Sequence, residues 1–328
     1  MEGINKFEEI DMSKKKSSRN FGLESRNMGS AVGLAQKQSV ARKAISFQTA
    51  HDYGHRFAIF IAFAKENGIG RLERISREVV IEYGLELAHE VLDGEITASY
   101  AQDLVSAVNS VMNTVTWHQW VSVSPTMDCG IPRVSHVRAD APTGYDRDSF
   151  AKAAGALVGS NLGRQACVAE LARELGIRSK EASLLDCSKA LGEARHLGHI
   201  NISKGTKGGR HRTVPITMPS QIDALIRASA VQGKNRNLIP KGQTWKQWRQ
   251  GGLRTGREAL QVHGISRLHD LRASYACERY LMLTGWLAPV LGGRILDKAI
   301  DFSAREAISN ELGHGRIDVV ASYVGGRK

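Results

Sequence analysis

The sequence has few cysteines, no long apolar run and a shortage of acidic residues. No segment reaches the ~18 consecutive apolar residues of a membrane-spanning helix, so we expect no transmembrane span and no membrane partner. The N-terminal residues also lack the apolar stretch of a signal peptide. The four cysteines form no CxxC pair, which argues against a zinc ribbon or a disulfide scaffold. This cysteine usage predicts a protein of the reducing cytoplasm.

Positive charge is concentrated in the C-terminal part of the chain. The 328 residues include 45 Lys+Arg and 33 Asp+Glu, for a formal net charge of +12. The charge is +4 over residues 1–50, −5 over 51–142 and +13 over 143–328. Such an excess predicts a polyanionic partner, nucleic acid before an anionic membrane surface. Charge alone leaves open a second interpretation, a solvated basic surface without a binding site.

The first 148 residues divide into three segments. Residues 1–40 are polar, basic and glycine-containing, which predicts a flexible tail. Residues 41–121 carry helical apolar stripes, such as the one formed by Phe57, Phe60 and Ile61, and predict a small helical bundle. Residues 122–148 lose this periodicity and contain prolines and glycines, which predicts a linker between two domains.

Residues 149–328 predict a second domain of mixed character. Helical segments open it, and a hairpin follows, with strands at 199–202 and 213–216 joined by a glycine-rich turn. Three helical segments are expected near 269–284, 297–313 and 316–323. The predicted fold class is therefore mainly α with a small β-hairpin, built as a helical domain followed by an α+β domain.

Six residues of the second domain are candidates for catalysis. They are Arg178, Lys204, His269, Arg272, His314 and Tyr323. The spacing of His269 and Arg272 places an imidazole and a guanidinium on one face of a helix. Each motif alone has a structural explanation, because an isolated HxxR is usually a surface pair and Leu-Gly-His usually an ordinary helix end. Only their combination, within a basic domain, points to a site.

In order, spacing and local context, these motifs resemble those of the tyrosine recombinases, or phage-type integrases. The resemblance rests on LGIRSKE around Arg178, SKGTKGGRHRTVP around Lys204, HDLRASYA from His269, and LGHGRIDVVASY ending at Tyr323. It covers roughly residues 45–328. The 42 residues from Arg272 to His314 are more than is usual in the family, with the extra residues roughly at Gly285–Leu296. Together with the stretch Gly233–Gly264, this insertion resembles an integrase branch found in mobile elements.

The resemblance implies a fold and a mechanism. The bundle at 41–121 is expected to be a SAM-like core-binding domain that contacts DNA, and residues 149–328 the catalytic domain. Tyr323 is expected to attack the scissile phosphate and form a 3′-phosphotyrosyl enzyme. Arg178 and Arg272 would stabilise the phosphate charge, and Lys204 would protonate the leaving 5′-oxygen, with Lys207 as the fallback acid.

The resemblance implies further roles and partners. His269 and His314 would bind the phosphate or assist transfer of the tyrosine proton. No metal and no other cofactor, ATP included, is expected, in agreement with the lack of carboxylates at metal-ligand spacing. The expected partners are double-stranded DNA at recombination sites, three further copies in a tetramer, and accessory DNA-bending or directionality proteins. Such a protein would be nucleoid-associated.

Four further residues are predicted to contact DNA. They are Lys207, Arg210, Arg212 and Arg316. Two other functions remain open from the sequence: a catalytically silent DNA-binding protein of the same fold, and a type IB topoisomerase-like enzyme that uses the same chemistry for relaxation. The complete set of six candidates favours an integrase that inserts or excises a mobile element.

Overall fold

The computed structural model describes residues 19–23 and 25–327. They divide into two compact units, the first ending at Ser135 and the second beginning at His136. Each unit has its own hydrophobic core. The boundary between the units falls inside the segment 122–148 that is predicted to be a linker.

The described part of the first unit is a helical bundle. Its helices are α1 (Met28–Ala41), α2 (Phe47–Glu66), α3 (Arg77–Leu92) and α4 (Ala98–Val115), with a 3-10 turn at Leu72–Arg74. Helices α2, α3 and α4 begin after Ser46, Ser76 and Thr97, whose side chains accept hydrogen bonds from backbone N–H groups of the first turn. Apolar faces of these helices form the first core.

The predicted tail 1–40 is wrong for residues 28–40, which belong to helix α1. Met28, Ala31, Val32 and Ala35 recur at helical spacing and are buried against α2 and α4. Apolar and small residues also occupy the other faces of this helix, so the contrast between its faces is weak although the buried positions recur at helical spacing. The basic cluster of the predicted tail lies mostly in residues 1–18, outside the described residues.

The predicted linker is packed on both sides of the unit boundary. Val123, Cys129 and Ile131 are buried in the first core. On the other side, the Arg138 N–H donates to the carbonyl oxygen of Ala321 within the second unit. Turn residues therefore mark the boundary in the sequence, but parts of this segment pack against each unit.

The second unit contains ten helices and one hairpin among its described residues. The helices are α5 (Arg147–Gly159), α6 (Gly163–Leu175), α7 (Ser179–Leu184), α8 (Cys187–Leu197), α9 (Pro219–Gln232), α10 (Trp245–Gln250), α11 (Gly252–Val262), α12 (Leu268–Thr284), α13 (Lys298–Leu312) and α14 (Ala321–Val324). Further 3-10 turns lie at Lys207–Gly209, Pro289–Leu291 and Asp318–Val320. The predicted mainly α fold is confirmed.

The hairpin lies between α8 and α9. Strands β1 (His199–Ile202) and β2 (Arg212–Pro215) pair antiparallel, with Ile200 opposite Val214. Both of these residues are buried, so one face of the hairpin joins the second core. The second strand begins and ends one residue earlier than predicted, and these two strands form the only sheet in the described part of the chain.

Helix α12 runs through the second core. Leu271, Ala273, Ala276 and Tyr280 are fully buried on different faces of this helix. Such all-round burial gives the residues near its N-terminus, including Arg272, a rigid support. Among the described helices, none is long and apolar enough to cross a membrane.

Candidate active site

Tyr323 lies at the centre of a group of cationic and imidazole side chains in the second unit. Its hydroxyl oxygen is 2.9 Å from His314 Nε2 and accepts a hydrogen bond from Arg272 Nε at 3.3 Å. The ring of His269 lies against the tyrosine ring, with 5.1 Å between centroids. Tyr323 itself is only 2% exposed. Two of the motifs predicted from sequence, HDLRASYA and LGHGRIDVVASY, are thus in direct contact.

Local chain geometry brings His314 and Tyr323 together. Helix α13 ends at Gly313, whose φ of 68° is a left-handed conformation that favours glycine. A Cβ at this position would lie 2.8 Å from Cδ of Arg212, so glycine is also required for close approach. The chain then turns through Asp318–Val320 into α14, which returns Tyr323 to the His314 imidazole.

Arg272 contacts three separate segments of the site. Its guanidinium donates to the carbonyl oxygens of Gly176 and Leu312, and Nη2 lies 3.2 Å from His314 Nε2. The side chain is buried, and this desolvation lowers the pKa of Arg272 to about 10. The guanidinium therefore stays positively charged at neutral pH.

The proton on His314 can be assigned from its partners. Desolvation, followed by the charges of Arg272 and Arg178, lowers the pKa of His314 to about 3, so the imidazole is neutral at pH 7. Arginine N–H groups only donate, so Nε2 accepts and the ring proton sits on Nδ1. The Tyr323 hydroxyl can then donate to Nε2. Desolvation and the charge of Arg272 likewise lower the pKa of His269.

Arg178 is positioned by a buried carboxylate. Glu181 Oε1 accepts from Arg178 Nη1 at 2.9 Å, and Glu181 Oε2 accepts from the Arg178 backbone N–H at 2.7 Å. The Arg178 side chain is 24% exposed, whereas that of Glu181 is fully buried. One guanidinium edge is thereby held while the rest of the group stays accessible.

Arg212 is the second partner of Glu181, and the prediction that it contacts DNA is not supported by its position. Its Nη1 and Nη2 donate to the two carboxylate oxygens at 2.9 and 2.7 Å, and its Nε donates to the Glu311 carbonyl oxygen. The side chain is only 5% exposed. Each of its three nitrogens donates to a protein acceptor, and the buried side chain presents little surface to a DNA phosphate.

Strand alternation is the signal that could have predicted this burial. Residues two apart in a strand face the same side, and Arg212 stands two before the fully buried Val214. The two arginines outweigh the desolvation of Glu181 and lower its pKa to about 2. Desolvation alone would raise it, so the carboxylate is ionised because of its ion pairs.

We expect Glu181→Gln to lower the free energy of unfolding by about 3–5 kcal/mol, because it leaves the buried Arg212 without its counter-charge. Urea unfolding of the purified protein measures this change. The matched control is Glu258→Gln, which breaks the exposed pair with Arg254 and should change stability by only about 0.3–0.5 kcal/mol. Equal, small losses in both variants would contradict the buried-pair interpretation.

The remaining predicted residues lie outside the contacts around Tyr323. Lys204 is exposed in the hairpin loop and lines a cavity together with Asp186, Lys189 and Glu193. Burial alone would raise the pKa of Asp186, but hydrogen bonds from Gln232 and the Lys189 backbone and the charge of Lys204 lower it below its usual value. In this structure the predicted general acid therefore faces an acidic cavity.

The other predicted DNA contacts are accessible. Lys207 lies exposed in the 3-10 turn of the hairpin loop. Arg210 is exposed and donates from Nη1 to the His314 carbonyl oxygen at 2.8 Å. Arg316 is exposed beyond α13, with its Nε 3.9 Å from Asp318. These three side chains keep donors free for an external anion, unlike Arg212.

Comparisons with known proteins agree with the observed fold. Residues 156–278 match the family model described as Integrase. The matched segment ends before His314 and Tyr323, whereas the four candidates that precede them lie inside it. None of the curated proteins matches the chain.

Solved structures extend the similarity over most of the chain. The integrase of the Tn1549 transposon, in complex with transposon right end DNA, is 11% identical; the match covers 89% of this chain and 94% of that one, with a TM-score of 0.57. A lambda integrase dimer bound to a COC′ core site is 16% identical, with 90% and 76% covered and a TM-score of 0.55. A lambda integrase tetramer bound to a Holliday junction is 17% identical, with 89% and 75% covered and a TM-score of 0.53.

These matches extend beyond the integrase segment, and their TM-scores establish a shared fold. The segment that matches the family model lies in the second unit, where the Arg, His and Tyr side chains converge. Residues 156–278 are therefore similar to the integrase family, and over most of its length the chain has the fold of the integrases named above.

Proposed function

We propose that this protein is a site-specific DNA recombinase in which Tyr323 is the nucleophile. The observation that carries the proposal is the pair of hydrogen bonds at the Tyr323 hydroxyl, from Arg272 Nε and to His314 Nε2. A neutral imidazole accepts the phenolic proton, and a neighbouring guanidinium stabilises the developing phenolate. This arrangement activates one oxygen nucleophile within a basic site.

The proposed reaction exchanges one phosphate ester for another. The Tyr323 oxygen forms a bond to the scissile phosphorus as the bond to the 5′-oxygen breaks, and His314 takes the phenolic proton. The leaving 5′-oxygen takes a proton from Lys204, or from Lys207 if the hairpin loop is displaced. Because the phosphotyrosyl ester conserves the bond energy, the reverse attack by a 5′-hydroxyl rejoins DNA without ATP.

The burial of Tyr323 adds a conformational requirement to this mechanism. With the side chain 2% exposed, the scissile phosphate reaches the hydroxyl only after α14 or its neighbours move. Arg178, which is partly exposed, would bind a non-bridging phosphate oxygen first. Arg272 would exchange its tyrosine contact for the phosphate as charge develops there. Lys204 must also leave its acidic cavity before it can protonate the 5′-oxygen.

Double-stranded DNA is the proposed partner, at the attachment sites of a mobile element. Relatives of this fold have been solved with transposon end DNA and, as a tetramer, with a Holliday junction, which supports DNA binding and assembly of four copies. Accessory DNA-bending or directionality proteins are part of the proposal. A recombinase that acts on chromosomal DNA would be nucleoid-associated.

The experiment that tests this proposal uses a nicked suicide duplex carrying the element's own junction. Cleavage releases a short strand and traps the covalent intermediate, which a denaturing gel separates from free protein. Peptide mapping of the adduct should identify Tyr323. If no junction DNA forms an adduct, the catalytically silent DNA-binding protein is favoured. Relaxation of plasmids that lack the junction would instead favour the topoisomerase-like alternative.

We further expect Lys207→Ala to reduce the salt dependence of DNA binding. Removal of one phosphate contact should lower the slope of log K against log salt by about 0.9, because one fewer counterion is released. Fluorescence anisotropy at salt concentrations from about 50 to 200 mM measures this slope. Lys152→Ala, which removes an exposed lysine of α5, is the control and should leave the slope unchanged. An unchanged slope in Lys207→Ala would remove this residue from the interface.

A further inference from the structure

The segment that leads into the second unit lies against the helix that carries the nucleophile. We call residues 136–145 the strap. The backbone N–H of Arg138 donates to the carbonyl oxygen of Ala321 at 2.9 Å. Ala321 is the first residue of α14 and stands two positions before Tyr323. The strap therefore contacts the short element that sets the position of the tyrosine.

The Arg138 side chain reaches the other half of the site. Its Nη2 lies 3.1 Å from Asp270 Oδ1, and its Nε donates to the carbonyl oxygen of Asp140 at 2.8 Å. Asp270 lies in the first turn of α12, next to His269 and two residues before Arg272. The two side chains are 16% and 11% exposed, so this ion pair is largely shielded from solvent. An ion pair of this kind is less screened by salt than a surface pair.

A second strap residue, Thr143, binds the other carboxylate oxygen of Asp270. Thr143 Oγ1 donates to Asp270 Oδ2 at 2.7 Å and accepts from the Ser266 backbone N–H at 3.0 Å. Both carboxylate oxygens of Asp270 are therefore bound by the strap. The start of α12 is fixed relative to residues 138–143 by three polar contacts.

We propose that Arg138 is a positioning residue that aligns the Tyr323 hydroxyl with Arg272 and His269. Its backbone holds α14 and its side chain holds α12, so a single residue joins the two elements whose separation sets the nucleophile geometry. A displacement of about 1 Å in such geometry can lower a rate by about 100-fold. This inference rests on the proposed recombinase function. It adds a residue outside the six catalytic candidates.

The first test compares cleavage rate with DNA affinity. We expect Arg138→Ala to lower the single-turnover rate of adduct formation by about 10- to 100-fold. The Kd for junction DNA should stay within about twofold, because Arg138 acts on alignment and not on anchoring. Arg138→Lys retains the charge facing Asp270 and should recover part of the rate. The matched control is Arg227→Ala, which breaks the ion pair with Glu170 and should leave the rate unchanged.

The second test measures positioning without catalysis. Amide hydrogen exchange of the peptide 318–327 should accelerate in DNA-free Arg138→Ala but not in Arg227→Ala. If Arg138→Ala does not fold, Arg138→Lys and Asp270→Asn are measured by the same two methods, and both should slow cleavage and accelerate exchange. A double variant, Arg138→Ala with Asp270→Asn, should be no slower than the slower single variant, because both act through one contact.

The outcomes separate the two proposals. An unchanged cleavage rate together with unchanged exchange at 318–327 overturns the role of Arg138. Equal losses of rate and of DNA affinity also overturn it, since a positioning residue changes the rate alone. If the wild-type protein forms no adduct, the recombinase function fails, and the exchange measurement alone decides whether Arg138 holds α14.

Discussion

Tyr323→Phe is expected to abolish the covalent DNA adduct. Phenylalanine keeps the buried ring and its contact with His269 but removes the only oxygen that the proposed mechanism uses as nucleophile. Loss of a catalytic nucleophile lowers rates by about 10⁴-fold or more, which places the adduct below detection on a denaturing gel. The measurement is the adduct yield on the nicked junction duplex over hours.

A second tyrosine of the same unit provides the control. Tyr280→Phe removes a buried hydroxyl that donates to Asp301 and does not contact Tyr323, and should leave adduct formation per folded molecule intact. Tyr323→Phe should keep its affinity for junction DNA, with a stability loss of about 1 kcal/mol from the missing hydrogen bonds. An adduct that persists in Tyr323→Phe would assign the nucleophile elsewhere.

Helical periodicity and turn residues were enough to predict the hairpin and two long helices of the second unit, whereas the predicted helix 316–323 is a 3-10 turn followed by the short α14. The segment 269–284 is observed as Leu268–Thr284, and 297–313 as Lys298–Leu312. Both helices end at a glycine in the left-handed conformation, Gly285 and Gly313, a signal that sequence carries directly. The convergence of Arg272, His314 and Tyr323 was expected only from the family resemblance, because no local pattern reports contacts across 51 positions.

Burial of charge was the part that sequence could not predict. Net charge suggested that most cations of the second unit face DNA, but several are largely buried and pair with a carboxylate: Arg173, Arg212, Arg279 and Arg305. Which arginine is internal depends on tertiary partners far along the chain. The role of Arg138 could not be predicted from sequence for the same reason, since its partners Asp270 and Ala321 follow more than 130 residues later.

The observed contacts change the expectation for Arg272. From sequence alone, its removal should abolish cleavage with only a modest loss of DNA binding. In the structure its guanidinium also satisfies the carbonyl oxygens of Gly176 and Leu312. Removal leaves these buried acceptors without a partner, at about 1–3 kcal/mol for each group. A variant of Arg272 must therefore be judged on its folded fraction.

Arg272→Ala is expected to lower the single-turnover cleavage rate by about 10³- to 10⁵-fold, the range observed when an arginine that stabilises a phosphoryl transition state is lost. Arg272→Lys should recover little of this rate, because an ammonium cannot reproduce the planar fork that contacts Gly176, Leu312 and Tyr323 at once. Adduct formation is measured at saturating protein, and urea unfolding gives the folded fraction.

The matched control lies two turns further along the same helix. Arg279 is also largely buried and pairs with Glu311, so Arg279→Ala removes a comparable guanidinium that does not contact Tyr323. We expect this variant to lose stability but to keep its cleavage rate per folded molecule. The affinity for junction DNA decides the role of Arg272, because a transition-state stabiliser changes the rate far more than the Kd. Equal losses of cleavage rate and of DNA affinity in Arg272→Ala would make Arg272 an anchor for the duplex. The stabilisation of charge at the phosphate would then depend on Arg178.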